Sequence, residues 1–386
     1  MTPIVDNAEL AAFCERLTGA PFIAVDTEFM RETTYWPKLC LVQVASASEW
    51  QGGLAACIDP LAADLDLAPL LKLLADPQTV KVFHAARQDL EIFHNLGVRT
   101  TPVFDTQLAA MAAGYGEQIA YDALVRQMLR VEIDKSSRFT DWSRRPLSPA
   151  QYAYALADVV HLAKLYPKLR ERLEKTGRLA WVADEMAGLS DPALFDTEPE
   201  NAWKRLKPRK FTPKYLAAFR AAAAWRERTA QARDQPRGRI LKDDAIDELA
   251  TQLPMDVDAL NRLRSVPKGF GGSRFGAELA AAIEAAVANA EDYAPVIPRP
   301  PAAPQNAGAV VELLKVLLKA RAEDAGVASK LIATVSDLEK IAADAETPAL
   351  TGWRREVFGA DALRLKRGEL AMVLDGARVK VVETAR

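Results

Sequence analysis

Short apolar runs alternate with longer helical patterns over the first half of the chain, and this alternation restricts the possible folds more than any other feature. Strand-like runs occupy residues 22–29, 39–45, 56–59, 80–84 and 103–105. Helical patterns occupy residues 69–75, 87–95, 106–113, 121–129 and 148 to about 174. Strands that alternate with helices are typical of an α/β domain with a central sheet. We therefore predict such a domain over residues 1–200.

The rest of the chain is predicted to form helical units. A length of 386 residues exceeds what one compact core usually holds, so several domains are expected. Alanine-rich sequence with apolar positions at helical spacing predicts a small helical domain over residues 209–291. Five prolines in residues 292–305 predict an extended linker, and residues 306–386 are predicted to form a second helical unit. A faint repeat relates residues 239–250 to 330–342, although two amphipathic helices with the same packing needs explain it equally well.

Composition narrows the class of protein and the kind of site. Hydrophobic residues make up 49% and charged residues 26% of the chain, and no apolar run reaches the roughly 18 residues of a membrane span. The first residues lack the basic stretch and apolar core of a signal peptide. Three scattered cysteines (Cys14, Cys40 and Cys57) and three histidines support neither a disulfide framework nor a zinc site. We therefore expect a protein of the reducing cytoplasm, without membrane contact, in which oxygen atoms bind any metal ion. We also expect a monomer.

One segment is strongly basic, although the whole chain carries a net charge of only −2. Residues 201–239 contain twelve Lys or Arg against two acids, Glu227 and Asp234. Such a block is expected where a protein neutralises the phosphates of a polyanion. A solvated helix face is the alternative interpretation, since charge runs often have no partner.

Two acids interrupt the apolar strand PFIAVDTEF. Strand alternation places Asp26 and Glu28 on the same face, where two carboxylates repel one another and resist burial unless a cation stabilises them. Alternatively, the strand ends at Asp26 and both acids lie in an exposed loop.

Two later segments carry further candidate acids. Tyr154 and Asp158 lie four residues apart in a predicted helix and therefore share one face. Alternatively, Asp158 occupies an exposed position on an amphipathic helix. Asp89 lies just inside the helix after a strand, where open α/β sheets gather ligands. Glu91 and Asp105 are also acidic and close in sequence, so position alone does not select Asp89.

Carboxylates of this kind can hold two divalent cations for the in-line hydrolysis of a phosphodiester. The hydroxyl of Tyr154 can orient the attacking water or the scissile phosphate. Motifs for competing chemistries are absent from the sequence: it contains no GxxxxGKS/T phosphate loop, no GxSxG elbow and no HExxH pair.

The acidic segments, taken in order, are similar to a known set of motifs. Asp26-x-Glu28, Asp89 within HAARQDLEIF and Tyr154-x-x-x-Asp158 resemble the three exonuclease motifs of the DEDD superfamily, in its tyrosine-bearing branch. The segments DTEFMRETTYWPKLCLVQVA and KSSRFTDWSRRPLSPAQYAYALADV resemble those of the ribonuclease D family. The unit at 213–291 resembles an HRDC domain, and the last unit resembles a divergent second copy.

The resemblance implies a fold and a reaction. The fold is multidomain α/β plus α, with a ribonuclease H-like exonuclease domain built on a mixed central sheet and followed by two small helical HRDC-type domains. The reaction is the removal of nucleoside 5′-monophosphates from RNA with a free 3′ end, including tRNA precursors and other small stable RNAs. A single-strand DNA exonuclease is one alternative, because such a site does not read the 2′-OH. A non-catalytic nucleic-acid-binding scaffold is another.

The resemblance also implies roles for the site residues. Asp26, Glu28, Asp89 and Asp158 are expected to bind two Mg²⁺ or Mn²⁺ ions, and Tyr154 is expected to orient the water. Six further residues are candidates for contact with the substrate: Phe29, Trp142, Arg144, Arg145, Lys268 and Arg274. The two aromatics can stack on bases, and the four cations can contact phosphates. Core packing, surface ion pairs and an ordinary Gly-rich turn are the alternatives for these six.

Overall fold

The computed structural model of the protein describes residues 2–138, 140–254, 256–297 and 307–384. Within these ranges, no helix combines the length and the apolar character that a membrane span requires. Residues 298–306, which include most of the proline-rich part of the predicted linker, lie outside the described residues.

The N-terminal part forms an α/β domain, and its five strands agree with the predicted ones within one residue at either end. In chain order its elements are α1 (Asn7–Leu17), β1 (Phe22–Met30), β2 (Lys38–Ser46), β3 (Ala55–Ile58), α2 (Ala68–Ala75), β4 (Val80–Phe83), α3 (Arg87–Asn95), β5 (Val103–Asp105), α4 (Thr106–Ala112), α5 (Tyr121–Leu129), α6 (Pro149–Lys175) and α7 (Leu179–Gly188). Helices α1 and α7 are additional to the predicted elements.

The five strands form one mixed sheet in the order β3-β2-β1-β4-β5, which confirms the predicted fold class. Strand β1 is central because it pairs antiparallel with β2 and parallel with β4. Helix α6 packs across four of the strands, and α1, α2 and α3 contribute Leu10, Leu70 and Phe93 to a second buried layer against the sheet. Burial on both faces explains why β2 is a nearly continuous apolar run.

A helical unit with its own core follows two short 3₁₀ turns, Pro192–Phe195 and Pro199–Arg205. Its helices are α8 (Pro213–Ala232), α9 (Arg237–Ile240), α10 (Asp243–Gln252), α11 (Val257–Asn261), α12 (Arg274–Ala288) and α13 (Ala290–Tyr293). Helices α10 and α12 both pack against α8, where buried Ala218 and Ala222 leave room for close approach. The core of this unit also includes Tyr35, which comes from the α/β domain.

The last unit shares its core with the α/β domain. Its elements are α14 (Ala307–Ala325), α15 (Ser329–Ile332), α16 (Val335–Ala342), a 3₁₀ turn (Pro348–Leu350), α17 (Gly352–Arg354), a π-helical turn (Arg355–Gly359), α18 (Ala360–Lys366), β6 (Leu370–Asp375) and β7 (Arg378–Glu383). Leu314 and Phe358 belong to the same buried cluster as Val159 of α6. The β6–β7 hairpin is additional to the predicted helices; Gly376, with a positive φ at its two-residue turn, is the sequence signal for it.

Specific contacts fix the junction between the last unit and the α/β domain. Arg178 donates hydrogen bonds of 2.9 Å and 3.0 Å to the carbonyls of Ala112 and Gly326. The rings of Trp181 and Trp353 stack in parallel with their centroids 4.5 Å apart. The last unit therefore packs against the α/β domain as one continuous structure and shares its core.

Candidate active site

Strand β1 presents two carboxylates just before its regular pairing ends. Asp26 and Glu28 are two residues apart and extend from the same face of this central strand. Asp26 lies opposite Gln43 and Glu28 opposite Leu41 of β2, and a bulge follows at Phe29. The acids therefore lie within the strand, as predicted, and not in an exposed loop. Ladder hydrogen bonds fix their backbone positions.

Helix α6 brings a third carboxylate to the same place. A capping box at Ser148 fixes the start of this helix, and Asp158 lies in its third turn. Ligand oxygen atoms of Asp26, Glu28 and Asp158 all lie within 4.8 Å of one another. Three carboxylates at this spacing can hold a divalent metal ion.

The fourth predicted acid, Asp89, lies beside this group. It is in the first turn of α3, and only 7% of its surface is exposed. The hydroxyl of Thr27, the residue between the two acids of β1, donates a 2.5 Å hydrogen bond to its carboxylate. The structure thus brings Asp89 to β1, but not into the three-carboxylate group itself.

Burial raises the pKa of each of these four acids. Burial, partly offset by a backbone hydrogen bond, raises the pKa of Asp26 to about 6. Burial and then the charges of the other three acids raise the pKa of Glu28 to about 9. Burial and then the charge of Asp26 raise the pKa of Asp158 to about 8 and that of Asp89 well above its usual value. A bound cation would favour the ionised form of acids that are buried and crowded in this way.

A cleft of about 1020 Å³ is lined by Asp26, Glu28 and Asp158 but not by Asp89. Phe29, Trp142 and Tyr154 are among the residues that line it, and the rings of the last two lie 6.1 Å apart at 30°. Lys135 and Arg138 add positive charge to the lining. Phe29 and these cations, beside clustered carboxylates, suit a single nucleic-acid strand, whose bases can stack while its phosphates are neutralised.

Two further aromatic residues of the cleft were not identifiable from the sequence. The hydroxyl of Tyr121 donates a hydrogen bond to the backbone carbonyl of Asp158 and so supports that turn of α6. The ring of His84 lies 5.2 Å from that of Tyr121 and bonds the Thr106 hydroxyl and the Ile119 carbonyl. Burial lowers the pKa of His84, which favours its neutral form. No local pattern marks Tyr121 as functional, and His84, although it begins the segment HAARQDLEIF, is a lone histidine beside an apolar run.

The two arginines predicted to contact phosphate near the site have partners within the protein. Arg145 donates two 2.6 Å hydrogen bonds to the carboxylate of Asp59 and a third to the carbonyl of Cys40. Arg144 pairs with Asp141 at 3.1 Å and remains largely exposed. Within the described residues, neither arginine lines the cleft.

The basic segment 201–239 is only partly available to a polyanion. Acids of the same chain form ion pairs with six of its arginines: Arg205, Arg209, Arg220, Arg226, Arg228 and Arg237. Its lysines at 204, 207, 210 and 214 are exposed. Further along the chain, Arg274 pairs with Glu278 and Lys268 is exposed, both away from the cleft lining. Six of the twelve cations are therefore paired within the fold, and the predicted contact with a polyanion rests on the four lysines together with Arg233 and Arg239, which are exposed.

Clustered carboxylates on a mixed sheet, beside a large cleft, suit a nuclease that uses divalent cations. In agreement, the family model for the 3'-5' exonuclease domain matches residues 1–174, and the model for the HRDC domain matches residues 216–283. The chain is 50% identical to ribonuclease D of Granulibacter bethesdensis, over 99% of this chain and 97% of that one. It is also 50% identical to ribonuclease D of Nitrobacter hamburgensis, over 99% of this chain and 100% of that one.

A solved structure agrees with these sequence matches. Escherichia coli RNase D has a TM-score of 0.79 and 28% identity to this chain, and the match covers 95% of this chain and 99% of that one. The chain belongs to the ribonuclease D family and is a 3′–5′ exoribonuclease. Assignment of the last unit as a second HRDC-like domain stays a prediction.

Proposed function

We propose that two divalent metal ions, Mg²⁺ or Mn²⁺, bind to Asp26, Glu28, Asp89 and Asp158 during catalysis. The grouping of three of these carboxylates within 4.8 Å is the observation that most strongly supports this. The donor set fits such ions, because hard cations prefer carboxylate oxygen to nitrogen or sulfur ligands. When bound, they lower the pKa of an attacking water and stabilise the negative charge on the leaving 3′ oxygen.

Tyr154 is proposed to orient the attacking water through its hydroxyl. Burial, followed by the charges of Asp158 and Glu28, raises the pKa of this hydroxyl above its usual range. It therefore stays protonated and acts as a hydrogen-bond donor, not as a base. The indole of Trp142 lies beside the ring, which restricts the directions in which the hydroxyl can point.

The proposed substrate is an RNA 3′ end, including that of tRNA precursors. Support comes from Escherichia coli RNase D, which is described as an exoribonuclease involved in structured RNA processing. A cleft of about 1020 Å³ is large enough for the terminal nucleotides of a strand. Phe29 is proposed to stack on a base there. Trp142 is only 3% exposed and belongs to a buried cluster with Leu147, so core packing beside Tyr154, and not base stacking, is its role. The monomeric state and the cytoplasmic location stay predictions.

A direct test compares RNA and DNA of one sequence, each labelled at the 5′ end. The wild type is incubated with each strand in Mg²⁺, in Mn²⁺ and in excess chelator. We expect RNA to shorten from its 3′ end, with release of nucleoside 5′-monophosphates, only when metal is present. Equal cleavage of the DNA strand would replace the RNA assignment with a nuclease indifferent to the sugar.

Matched variants test the acids. Asp26→Asn keeps the size of the side chain and removes its charge, and we expect no RNA shortening. Glu15→Gln makes the same type of change at an exposed position of α1 and should cleave like the wild type. Cleavage by Asp26→Asn at the wild-type rate would contradict the proposed site.

A further inference from the structure

The loop between β1 and β2, residues 31–37, inserts a side chain into the first helical unit. Tyr35 of this loop is only 7% exposed and belongs to the hydrophobic core of that unit, together with Phe219 of α8. The guanidinium of Arg237 lies over its ring, 4.5 Å from the centroid. The loop is therefore anchored in a domain other than its own.

Polar contacts hold the Tyr35 hydroxyl in place. It donates a hydrogen bond to Glu227 and accepts bonds of 3.1 Å from Gln231 and 2.8 Å from Arg237. Glu227 is 1% exposed and pairs with Arg237 at 2.5 Å. A buried hydroxyl with three partners from one domain fixes the position of the loop relative to that domain.

A second contact holds the backbone of the loop. The backbone N–H groups of Tyr35 and Trp36 each donate a 3.0 Å hydrogen bond to one carboxylate oxygen of Asp234. Asp234 follows the end of α8 and has a φ of +46°, a left-handed conformation that Asp, Asn and Gly tolerate. We call Tyr35, Glu227, Gln231, Asp234 and Arg237 the latch.

The other end of the same loop borders the reaction site. Phe29, Met30, Arg31 and Glu32 line the catalytic cleft, directly after the metal-binding candidate Glu28. Only two residues separate Glu32 from Tyr35. Because so short a segment cannot absorb a large displacement, the position of the latch is transmitted to the cleft wall.

We propose that the first helical unit positions the wall of the catalytic cleft through the latch, so that Tyr35 and Asp234 are positioning residues for hydrolysis. This inference rests on the proposed function of the site. It assigns the helical unit a part in the chemical step, separate from any contact it makes with RNA. Small displacements of a cleft wall are enough to matter, since an error of about 1 Å in positioning can reduce a rate roughly a hundredfold.

The test uses two substitutions at Asp234 in the full chain. Asp234→Gly removes the carboxylate and keeps the left-handed backbone comfortable, whereas Asp234→Asn keeps an oxygen that accepts both hydrogen bonds. The substrate is a 5′-phosphorylated ribodinucleotide, which is short enough to occupy the cleft without spanning the helical unit. We expect Asp234→Gly to lower kcat roughly tenfold with little change in KM, and Asp234→Asn to restore most of the rate.

A control and a second measurement separate positioning from general damage. Tyr215→Phe removes a buried hydroxyl from the same helical unit, where it bonds Asp247 at 2.6 Å, and should leave kcat for the dinucleotide unchanged. Hydrogen exchange of the peptide that contains Tyr35 and Trp36 should speed up in Asp234→Gly and not in Asp234→Asn.

Each outcome decides between the hypotheses. Unchanged kcat in Asp234→Gly, with or without faster exchange, overturns the inference, as does an equal loss in Tyr215→Phe. Raised KM for long RNA, with normal dinucleotide cleavage, would limit the helical unit to RNA binding and also overturn it. Failure of the wild type to cleave either substrate in Mg²⁺ or Mn²⁺ would overturn the proposed function, and the inference with it.

Discussion

Two groups of buried carboxylates in this protein have opposite electrostatics. At the site on β1 and α6, burial raises the pKa of Asp26 to about 6 and, with the charge of Asp26, that of Asp158 to about 8. In the first helical unit, Glu227 is almost fully buried, yet its pKa is lowered. Burial acts to raise it, but hydrogen bonds from Arg237 and Tyr35 and the charges of two arginines outweigh that effect.

The difference distinguishes an acid whose charge the chain's own cations compensate from acids whose charge they do not compensate. Glu227 is compensated by the chain's own cations, so its charge is part of the folded structure. At the site, nearby Arg138 lowers the pKa of Asp158 without offsetting burial and the charge of Asp26. The remaining charge imbalance is what a bound metal ion would correct.

The largest contrast is expected in activity when Asp158 is changed. Asp158→Asn should lower kcat by about a thousandfold, because a carboxylate ligand to catalytic metal contributes several kcal/mol to the transition state. The fold should survive, since the hydrogen bond from Tyr121 goes to the backbone at this position. Single-turnover RNA cleavage measures the rate, and circular dichroism measures the fold. Retention of a tenth of the wild-type rate would remove Asp158 from the site.

Changing the compensated acid should affect stability. Glu227→Gln leaves two arginines beside a neutral buried side chain and should reduce the free energy of unfolding by roughly 3 kcal/mol. Urea denaturation measures the change. Glu278→Gln breaks an exposed pair with Arg274 and should cost less than about 1 kcal/mol. Equal effects of the two substitutions would show that the buried network contributes little.

Changing an uncompensated acid should raise the free energy of unfolding, whereas changing Glu227 should lower it. The pKa of Glu28 rises from 4.5 in the unfolded chain to about 9 in the fold, so stability is lost as pH rises between these values. In chelator, the wild type should therefore become less stable from about pH 4.5 to about pH 9. Glu28→Gln should be more stable than the wild type by about 1–2 kcal/mol at the upper end. Parallel pH profiles for the two proteins would contradict the raised pKa.

Stabilisation of the folded protein by metal should depend on Asp158 of the site and not on Glu227 of the latch. At ten times its dissociation constant, Mg²⁺ should raise the free energy of unfolding of the wild type by about 1.4 kcal/mol. The gain should shrink in Asp158→Asn and persist in Glu227→Gln. Thermal unfolding with increasing Mg²⁺ measures these shifts. A full gain in Asp158→Asn would place the stabilising ion elsewhere.

The strands and the order of the acids could be predicted because they depend on local patterns. Strand β1 is apolar up to Asp26, and α6 carries a strong cap at Ser148, so each element is specified within a few residues. The convergence of Asp158 on β1 depends on how α6 crosses the sheet, and no local pattern encodes that crossing. Family resemblance supplied this part of the prediction.

The basic segment shows where a local pattern fails to predict a contact. Twelve cations in residues 201–239 predict a polyanion partner. However, Arg228 pairs with Glu200 and Arg226 with Asp243, and both acids lie outside the segment in which the charges were counted. The latch was equally hidden, since Tyr35 and Asp234 are about two hundred residues apart in sequence. Long-range pairs of this kind follow from the fold and not from spacing.

The shared core of the last unit has a consequence for how the enzyme is made. Leu314 and Phe358 complete the buried cluster around Val159 of α6, the helix that also carries Asp158. A ribosome synthesises Leu314 and Phe358 well after α6, so α6 acquires its final packing only once these later residues have been made. A nascent chain that still lacks them should therefore hold the helix that carries Asp158 in an incompletely packed state.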